Sequence, residues 1–537
     1  MKPTRVPFLL IVALALYAGL ALTTVRDVGV VGEVAASWAL ESPPRVVTEW
    51  VDGEPVLADV ETGLLRASQV RPLERLQLGP VALPLAVNSY TGGPPDWPAR
   101  AVYALTGSLG AVTALHVALG GLLLLLVHRF LRYHGTPGSA GVAALVLATA
   151  WSYVFYRKVL GGTEVLLQAS ALLVLWSFWS RRWAGGRLGS AAIAVGVGLG
   201  LLAKVTFVVT LLAFALSALV TRWDKPLLKP PPPLPLWKMG AIVLVLVSPL
   251  AVSAVDHLGV APIPSHDYLG LQLERAIEGL HRLVEGGSVP AREASGSLGW
   301  FLVDPLAWFG AAYGARPPPG QVFLGMVGWG VVLGGSVLAW VRRRKERADA
   351  LLRFMALFVP LQVLLLWLAN RDLHHLAQAT PMVAIWFALA CNRLLQLRFN
   401  PRSPGRAVLG VALATPWVAA GVLHLRATDH VLAELPMRHF TEAGQRELVE
   451  LTAGRAPLWA CDYDLYGMLE VRGVEVTHLW ADHARRPAQD ALAHLPEDGF
   501  YLWVSPSAPM IYNCERPRDL PEVDRLGDWA VLYSLQR

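Results

Sequence analysis

Eleven apolar stretches of roughly 17 to 25 residues, each bounded by charge, limit this chain to very few architectures. They lie near 6–25, 102–128, 139–156, 164–180, 188–203, 205–221, 238–255, 322–341, 350–369, 376–395 and 406–423. A helix of that length crosses the hydrocarbon core of a bilayer, and within lipid the helix satisfies every backbone polar group internally. The sequence therefore predicts an α-helical polytopic membrane protein with about eleven transmembrane helices. Lys204 divides the fifth run from the sixth. They are read as two helices, because about 33 apolar residues in one helix would overshoot the bilayer. Charged residues make up only 16% of the chain and hydrophobic ones 54%, with a mean hydropathy of +0.45. A soluble domain carries about 25% charged residues. The run at 6–25 also resembles a secretory signal, but no Ala-x-Ala site precedes Arg26, so it is read as an uncleaved first helix.

The formal charge of +6 is not spread over a nucleic-acid-binding face. It is concentrated in alternate short loops: Arg129 and Arg132; Arg181, Arg182 and Arg187; Arg222, Lys225 and Lys229; Arg342 through Arg347; and Arg393, Arg398, Arg402 and Arg406. Cytoplasmic loops are enriched in Lys and Arg. That places the N-terminus in the cytoplasm, and predicts no nucleic-acid partner. Two long loops, about 26–100 and 256–320, then face the extracytoplasmic side, as does everything after the last run. Residues 1–425 are read as the multispan domain. The stretch from Tyr268 to Leu283 suits either a helix along the membrane surface or a surface helix packed on the bundle, and Trp300 to Phe309 an interfacial aromatic belt.

Beyond His430 the hydropathy falls. Strand-like segments at 457–461, 473–479, 499–504 and 529–533 alternate with helical stretches at 440–452 and 486–495. Residues 426–537 are therefore expected to form a small extracytoplasmic α/β domain, with its first strand ending in Asp462-Tyr463-Asp464. Cys461 and Cys514 share this exported region, where a structural disulfide is permitted; Cys391 lies in a helix.

No phosphate loop, nucleophile elbow, zinc spacing or dinucleotide fingerprint occurs. Instead, the inferred topology gathers scattered polar groups on one membrane face. Asp27 and Glu33 follow the first helix; Arg157, Lys158 and Glu164 lie between the third and fourth; Lys204 separates the fifth and sixth. His266 and Asp267 sit in the second long loop, and Arg371, Asp372, His374 and His375 precede the tenth helix. Acids beside cations above an apolar bundle suit a substrate with a polyprenyl tail and a phosphate head. Cations hold phosphate oxygens, and a carboxylate deprotonates an attacking hydroxyl. Simpler roles exist for the same residues. Glu164 suits a helix N-terminus, and Lys204 can reach the interface along its stem.

On these residues the chain resembles the GT-C type glycosyltransferases, which include the dolichyl-phosphate-mannose protein mannosyltransferase and aminoarabinose transferase families. The resemblance rests on Arg26-Asp27-x-Gly29 with Glu33, the loop acid Glu164, Gly198 through Lys204, and Arg371 through His375 leading to Pro381, over roughly residues 5–423. It implies a membrane glycosyltransferase that moves a sugar from a polyprenyl-phosphate-linked donor to a lipid, glycan or protein acceptor on the extracytoplasmic face. Asp27, Glu33 and Glu164 would be its catalytic acids, and Lys204, Asp267, Arg371, His374 and His375 its substrate-binding residues. No cofactor is demanded by the sequence; some members use a divalent metal and others do not, so no metal is assigned. Where the family carries an Asp-Glu pair, this chain has Gly32-Glu33. Either Glu33 or Asp27 serves as base, or the site is altered. The alternative is a non-catalytic relative that binds lipid-linked glycans or scaffolds envelope assembly.

Overall fold

Each of the eleven apolar runs carries helix in a computed structural model of the chain. The structure describes residues 8–24, 46–51, 54–59, 63–66, 75–79, 81–88, 91–159, 161–184, 186–221, 234–258, 319–342, 346–369, 376–396, 404–433, 441–460, 463–479, 498–504 and 516–536. The helices of the bundle are α1 (Phe8–Thr23), α2 (Trp97–Thr106), α3 (Leu109–His134), α4 (Pro137–Thr149), α5 (Trp151–Val159), α6 (Gly161–Ala184) and α7 (Arg187–Ala203). They continue with α8 (Phe207–Val220), α9 (Leu236–Leu258), α10 (Pro319–Val341), α11 (Arg347–Ala369), α12 (Thr380–Leu395) and α13 (Pro404–Ala433). Among the described residues, five helical segments are long and apolar enough to cross a membrane: Leu109–His134, Gly162–Ser180, Phe323–Val341, Arg347–Leu366 and Val408–Arg426. Shorter apolar helices accompany them.

Two runs are broken where hydropathy shows nothing. The run expected at 102–128 divides at Gly107, whose φ of 60° and left-handed backbone close α2. Ser108 then caps α3 by accepting from the Ala111 amide at 3.3 Å. The run expected at 139–156 divides at Ala150, which is extended at ψ 120°. There the Thr149 hydroxyl donates back to the Leu145 carbonyl at 3.0 Å, and a Cβ on Gly421 would collide with the Thr149 carbonyl. The approach of α13 and the hydroxyl back-bond together accompany the end of α4. Lys204, by contrast, divides its run as the sequence predicts: it is extended at φ −161°, ψ 130° between α7 and α8.

Two helices form the centre. Every residue of α4 from Ser139 to Thr149 is buried, as is almost all of α12. α4 packs against α1, α3, α12 and α13, and α12 also against α10 and α11. A helix apolar on all sides belongs in the interior. In lipid no hydrophobic force draws helices together, so close contact between small residues matters more. Gly335 lies against the Ala390 backbone with no room for a Cβ, and Gly328 lies under the Trp417 indole.

Two of the loop arginines expected on one side, Arg342 and Arg393, meet at one end. Arg393 Nη1 lies 3.3 Å from Asp349 Oδ2, Arg393 Nη2 donates to the Arg342 carbonyl at 3.1 Å, and the Thr136 hydroxyl bonds to Asn392 Oδ1 at 3.0 Å. This basic end thus joins the C-termini of α10 and α12 to the N-termini of α4 and α11.

Outside the bundle lies an eight-stranded sheet in the order β11-β12-β10-β8-β9-β1-β2-β3. Its C-terminal strands are β8 (Leu458–Ala460), β9 (Thr477–Leu479), β10 (Phe500–Val504), β11 (Glu522–Leu526) and β12 (Ala530–Ser534). Four of these match expected strands; β11 does not. The other three strands come from the first long loop: β1 (Val46–Val51), β2 (Glu54–Asp59) and β3 (Gly63–Arg66). β1 runs parallel to β9, with Val47 opposite Leu479. The sheet therefore spans both stretches that the sequence assigns to separate units. Two hairpins follow in the same loop, β4 (Arg75–Leu78) with β5 (Val81–Pro84) and β6 (Ala86–Asn88) with β7 (Thr91–Gly92).

Helices α14 (Glu442–Thr452) and α15 (Tyr463–Glu470) contribute Leu448, Leu451, Leu465, Met468 and Leu469 to a core shared with Leu458, Ala460, Leu502, Val504 and Leu532. Alternate strand residues face these helices, as the two-residue period of a strand requires. The unit touches the bundle where the Tyr103 hydroxyl donates to the Val471 carbonyl at 3.4 Å. The expected surface helix near 268–283, the aromatic belt at 300–309, the helix at 486–495 and both Cys461 and Cys514 lie outside the described residues.

Candidate functional site

The end of the bundle opposite the arginines is built on a proline turn. Pro94, Pro95 and Asp96 form one 3₁₀ turn, and Trp97-Pro98 opens α2 directly after it. Fixed φ and missing amides make prolines suited to a helix entrance. The turn seats on the first turn of α6. A Cβ at Gly162 would collide with the Pro95 carbonyl and lie 3.0 Å from Asp96 Oδ1. Glycine there is what lets the acidic side chain approach the helix.

Glu164 stands two residues further along, in the first turn of α6, and is only 2% exposed. Asp96 is buried to a similar degree. Two buried carboxylates at one helix N-terminus face the positive end of its macrodipole. Arg100, one helical turn after Asp96 on α2, is also buried. The same proline turn packs against α7, whose last turn ends in Lys204. Lys204 is 7% exposed, which is low for a lysine at the end of an apolar helix. Charges so far from water need compensation by one another or by a bound group.

The break that presents Lys204 is tight. The Lys204 amide donates to the Gly200 carbonyl at 3.0 Å, and its own carbonyl accepts from the Phe207 amide at 2.9 Å. The Phe207 ring folds back over Gly200, where any Cβ would strike it. Glu164 and Lys204 share one end of the bundle for a simple reason. From the short link between α6 and α7, Glu164 lies back along about 30 Å of helix and Lys204 forward along about 25 Å, at ~1.5 Å per residue.

Glu164 and Lys204 are the two candidate residues of the sequence whose side chains the structure describes. Asp27, Glu33, Asp267, Arg371, His374 and His375 lie outside the described residues, as does His266; Arg157 and Lys158 lie on α5 with their side chains outside them. The neighbouring anchors are described. Leu9, at the start of α1, would meet a Cβ on Gly141 near the start of α4, so α1 begins at the basic end and finishes at the opposite one. There Thr24, three residues before Asp27, is buried, with its hydroxyl bonded to the Leu20 carbonyl at 2.6 Å. Leu376, directly after His375, is fully buried at the start of the turn Ala377–Ala379, which leads into α12 from that same end.

Sequence reading overlooked Asp96, Arg100, Gln168 and Gln378. The Pro-Pro-Asp-Trp-Pro spelling signals a helix start, which is the one local cue to Asp96. Gln168 lies one turn below Glu164, and its Nε2 donates to the Ala377 carbonyl at 2.8 Å, tying α6 to the turn before α12. Among the described residues no group of three or more His, Cys, Asp or Glu is placed to hold a metal ion.

No protein-family model matches the chain, and no curated protein matches it by sequence. Solved structures do. ArnT from Cupriavidus metallidurans in the apo state superposes with a TM-score of 0.52 at 13% identity, over 98% of this chain and 97% of that one. The oligosaccharyltransferase from Archaeoglobus fulgidus in the apo form gives 0.50 at 12% identity, over 92% of this chain and 69% of its own. Both are GT-C type enzymes. The chain has the GT-C fold. When that oligosaccharyltransferase is tethered to an acceptor peptide, the chain spans 63% of its length, with a TM-score of 0.45. Within the GT-C fold of this protein, the proline turn, Glu164 and Lys204 mark the end of the bundle where β6 and β7 of the first long loop reach α7 and α9.

Proposed function

We propose that this protein is a membrane glycosyltransferase that moves a sugar from a polyprenyl-phosphate-linked donor to a lipid, glycan or protein acceptor. The reaction takes place on the extracytoplasmic face of the bacterial inner membrane, and the basic end of the bundle faces the cytoplasm. One observation carries this reading: a buried acid and a buried lysine, Glu164 and Lys204, stand at the end of a GT-C-fold bundle opposite Arg342 and Arg393.

Chemistry follows from the residue types. Asp27 or Glu33 takes the proton of an acceptor hydroxyl, whose oxygen attacks the anomeric carbon of the donor. The bond between that carbon and the phosphate oxygen breaks, and the electron pair leaves with the lipid phosphate. Lys204, Arg371, His374 and His375 stabilise the charge growing on that phosphate, and Asp267 contributes from the second loop. Glu164, fixed at a helix N-terminus, supplies a second carboxylate to orient the acceptor or the cations. No step requires a metal from the residues named, and none is assigned.

Purified protein in proteoliposomes tests the reaction. Donors would be undecaprenyl phosphates bearing a panel of radiolabelled hexoses and aminosugars, with envelope lipids, glycans and proteins as acceptors. The expected result is release of undecaprenyl phosphate coupled to label in one acceptor fraction. Intact donor after prolonged incubation with every fraction contradicts the proposal.

A further inference from the structure

Gln378 is only 2% exposed, yet among the described residues neither its Nε2 nor its Oε1 has a hydrogen-bond partner. A carboxamide carries two donors and an acceptor, and leaving such a group buried and unbonded costs about 1–3 kcal/mol. The turn is tied to neighbouring helices on both sides, by a backbone carbonyl before Gln378 and by a side-chain hydroxyl after it. Before it, the Ala377 carbonyl is held by Gln168 Nε2 at 2.8 Å; after it, the Thr380 hydroxyl is held by the Ser152 hydroxyl at 2.9 Å. The turn packs against α5, α6, α11 and α12. Because Gln168 is one helical turn from Glu164 along α6, the turn sits about 5 Å deeper in the bundle than that acid.

We propose that Gln378 recognises the sugar of the donor, a hydroxyl-rich ring, while the phosphate is held by other residues. This rests on the donor reading given above. The carboxamide's own valence selects among the parts of such a donor. Phosphate oxygens only accept, so a phosphate would satisfy Nε2 and bring an anion against Oε1. An isoprenoid chain would satisfy neither atom. Two neighbouring hydroxyls of a pyranose satisfy both, one accepting from Nε2–H and the other donating to Oε1. That match is the same whichever way the amide is turned, so it does not depend on the assignment of N and O.

Binding of three defined lipids tests this: undecaprenyl phosphate, undecaprenyl phosphoglucose and undecaprenyl phosphomannose, each titrated by native mass spectrometry against wild-type protein, Gln378→Met and Gln378→Glu. Wild type is expected to bind one sugar-bearing lipid at least about tenfold more tightly than the bare one. Gln378→Met is expected to lose about 10- to 100-fold for that lipid, the equivalent of one or two hydrogen bonds to a neutral group. Bare undecaprenyl phosphate should stay within about threefold for both variants, because no phosphate faces position 378. Without lipid, Gln378→Met should melt at or above the wild-type temperature, since it removes an unbonded buried amide. Retained sugar discrimination in Gln378→Met, equal binding of all three lipids by wild type, or collapse of bare-lipid binding in Gln378→Glu each overturns the proposal. Wild-type protein that binds none of the three overturns the donor reading, and this proposal with it.

Discussion

Glu33→Gln and Asp27→Asn, made separately, are expected to give unequal losses of sugar transfer, with the larger about 10²- to 10⁴-fold in kcat. In the proposed reaction only one carboxylate can accept the hydroxyl proton while that hydroxyl oxygen lies in line with the anomeric carbon. Removing that one deletes an interaction made during the chemical step, so kcat falls while donor affinity changes little. The other acid is expected to act on orientation, with an effect nearer tenfold. Gly32-Glu33 stands where the GT-C pattern carries two adjacent acids, so the burden falls on one carboxylate there, and Asp27 is the alternative. Transfer kinetics of the two variants decide between them. Full activity in both removes Asp27 and Glu33 from the mechanism and turns attention to Asp96 and Glu164, the buried acids beside Gly162 among the described residues of that end.

At the other end of the bundle, Arg393→Met is expected to cost about 3–5 kcal/mol of stability. Arg393 and Asp349 form an ion pair at 3.3 Å with side chains 1% and 3% exposed. The guanidinium also donates to the Arg342 carbonyl, which lies just past α10, and to Gln396 Oε1, each at 3.1 Å. The methionine would take the guanidinium away from both the Asp349 carboxylate and the Arg342 carbonyl, and these two losses add. Asp349→Leu combined with Arg393→Met should recover much of the loss, because the two opposite charges are then removed together. Thermal unfolding in detergent, measured for the single and double variants, separates the pair's own worth from the penalty of orphaning one partner. A single variant as stable as wild type would mean that water reaches the pair.

The sequence made the helical framework legible because span length and the Lys and Arg bias are local properties of each run. Lys204 illustrates this: a charge inside 33-odd apolar residues predicts a break, and the backbone breaks there. The breaks at Gly107 and Ala150 were not legible. Gly107 needs only its left-handed turn, but Ala150 follows a Thr149 carbonyl met by Gly421 from a helix more than 250 residues away. The partnership of β1 with β9 is hidden for the same reason, since pairing across more than 400 residues leaves no periodic signal. In the site, acids and lysines beside apolar runs drew attention to Glu164 and Lys204. Asp96 looked like part of a polar loop and Gln378 like a neutral residue within a span. Their burial is a tertiary fact, produced by Gly162 and by the bond from Gln168.

The central claim is that the end of the bundle holding Lys204 binds a polyprenyl phosphate, and affinity measured on the lysine tests it most directly. Undecaprenyl phosphate should bind wild-type protein as a single copy. Lys204→Met, which keeps the unbranched apolar stem and removes the ammonium, should weaken that binding about 10- to 100-fold, the worth of one charge-assisted contact. Equal affinity in the two proteins would contradict the assignment of this end as the donor site.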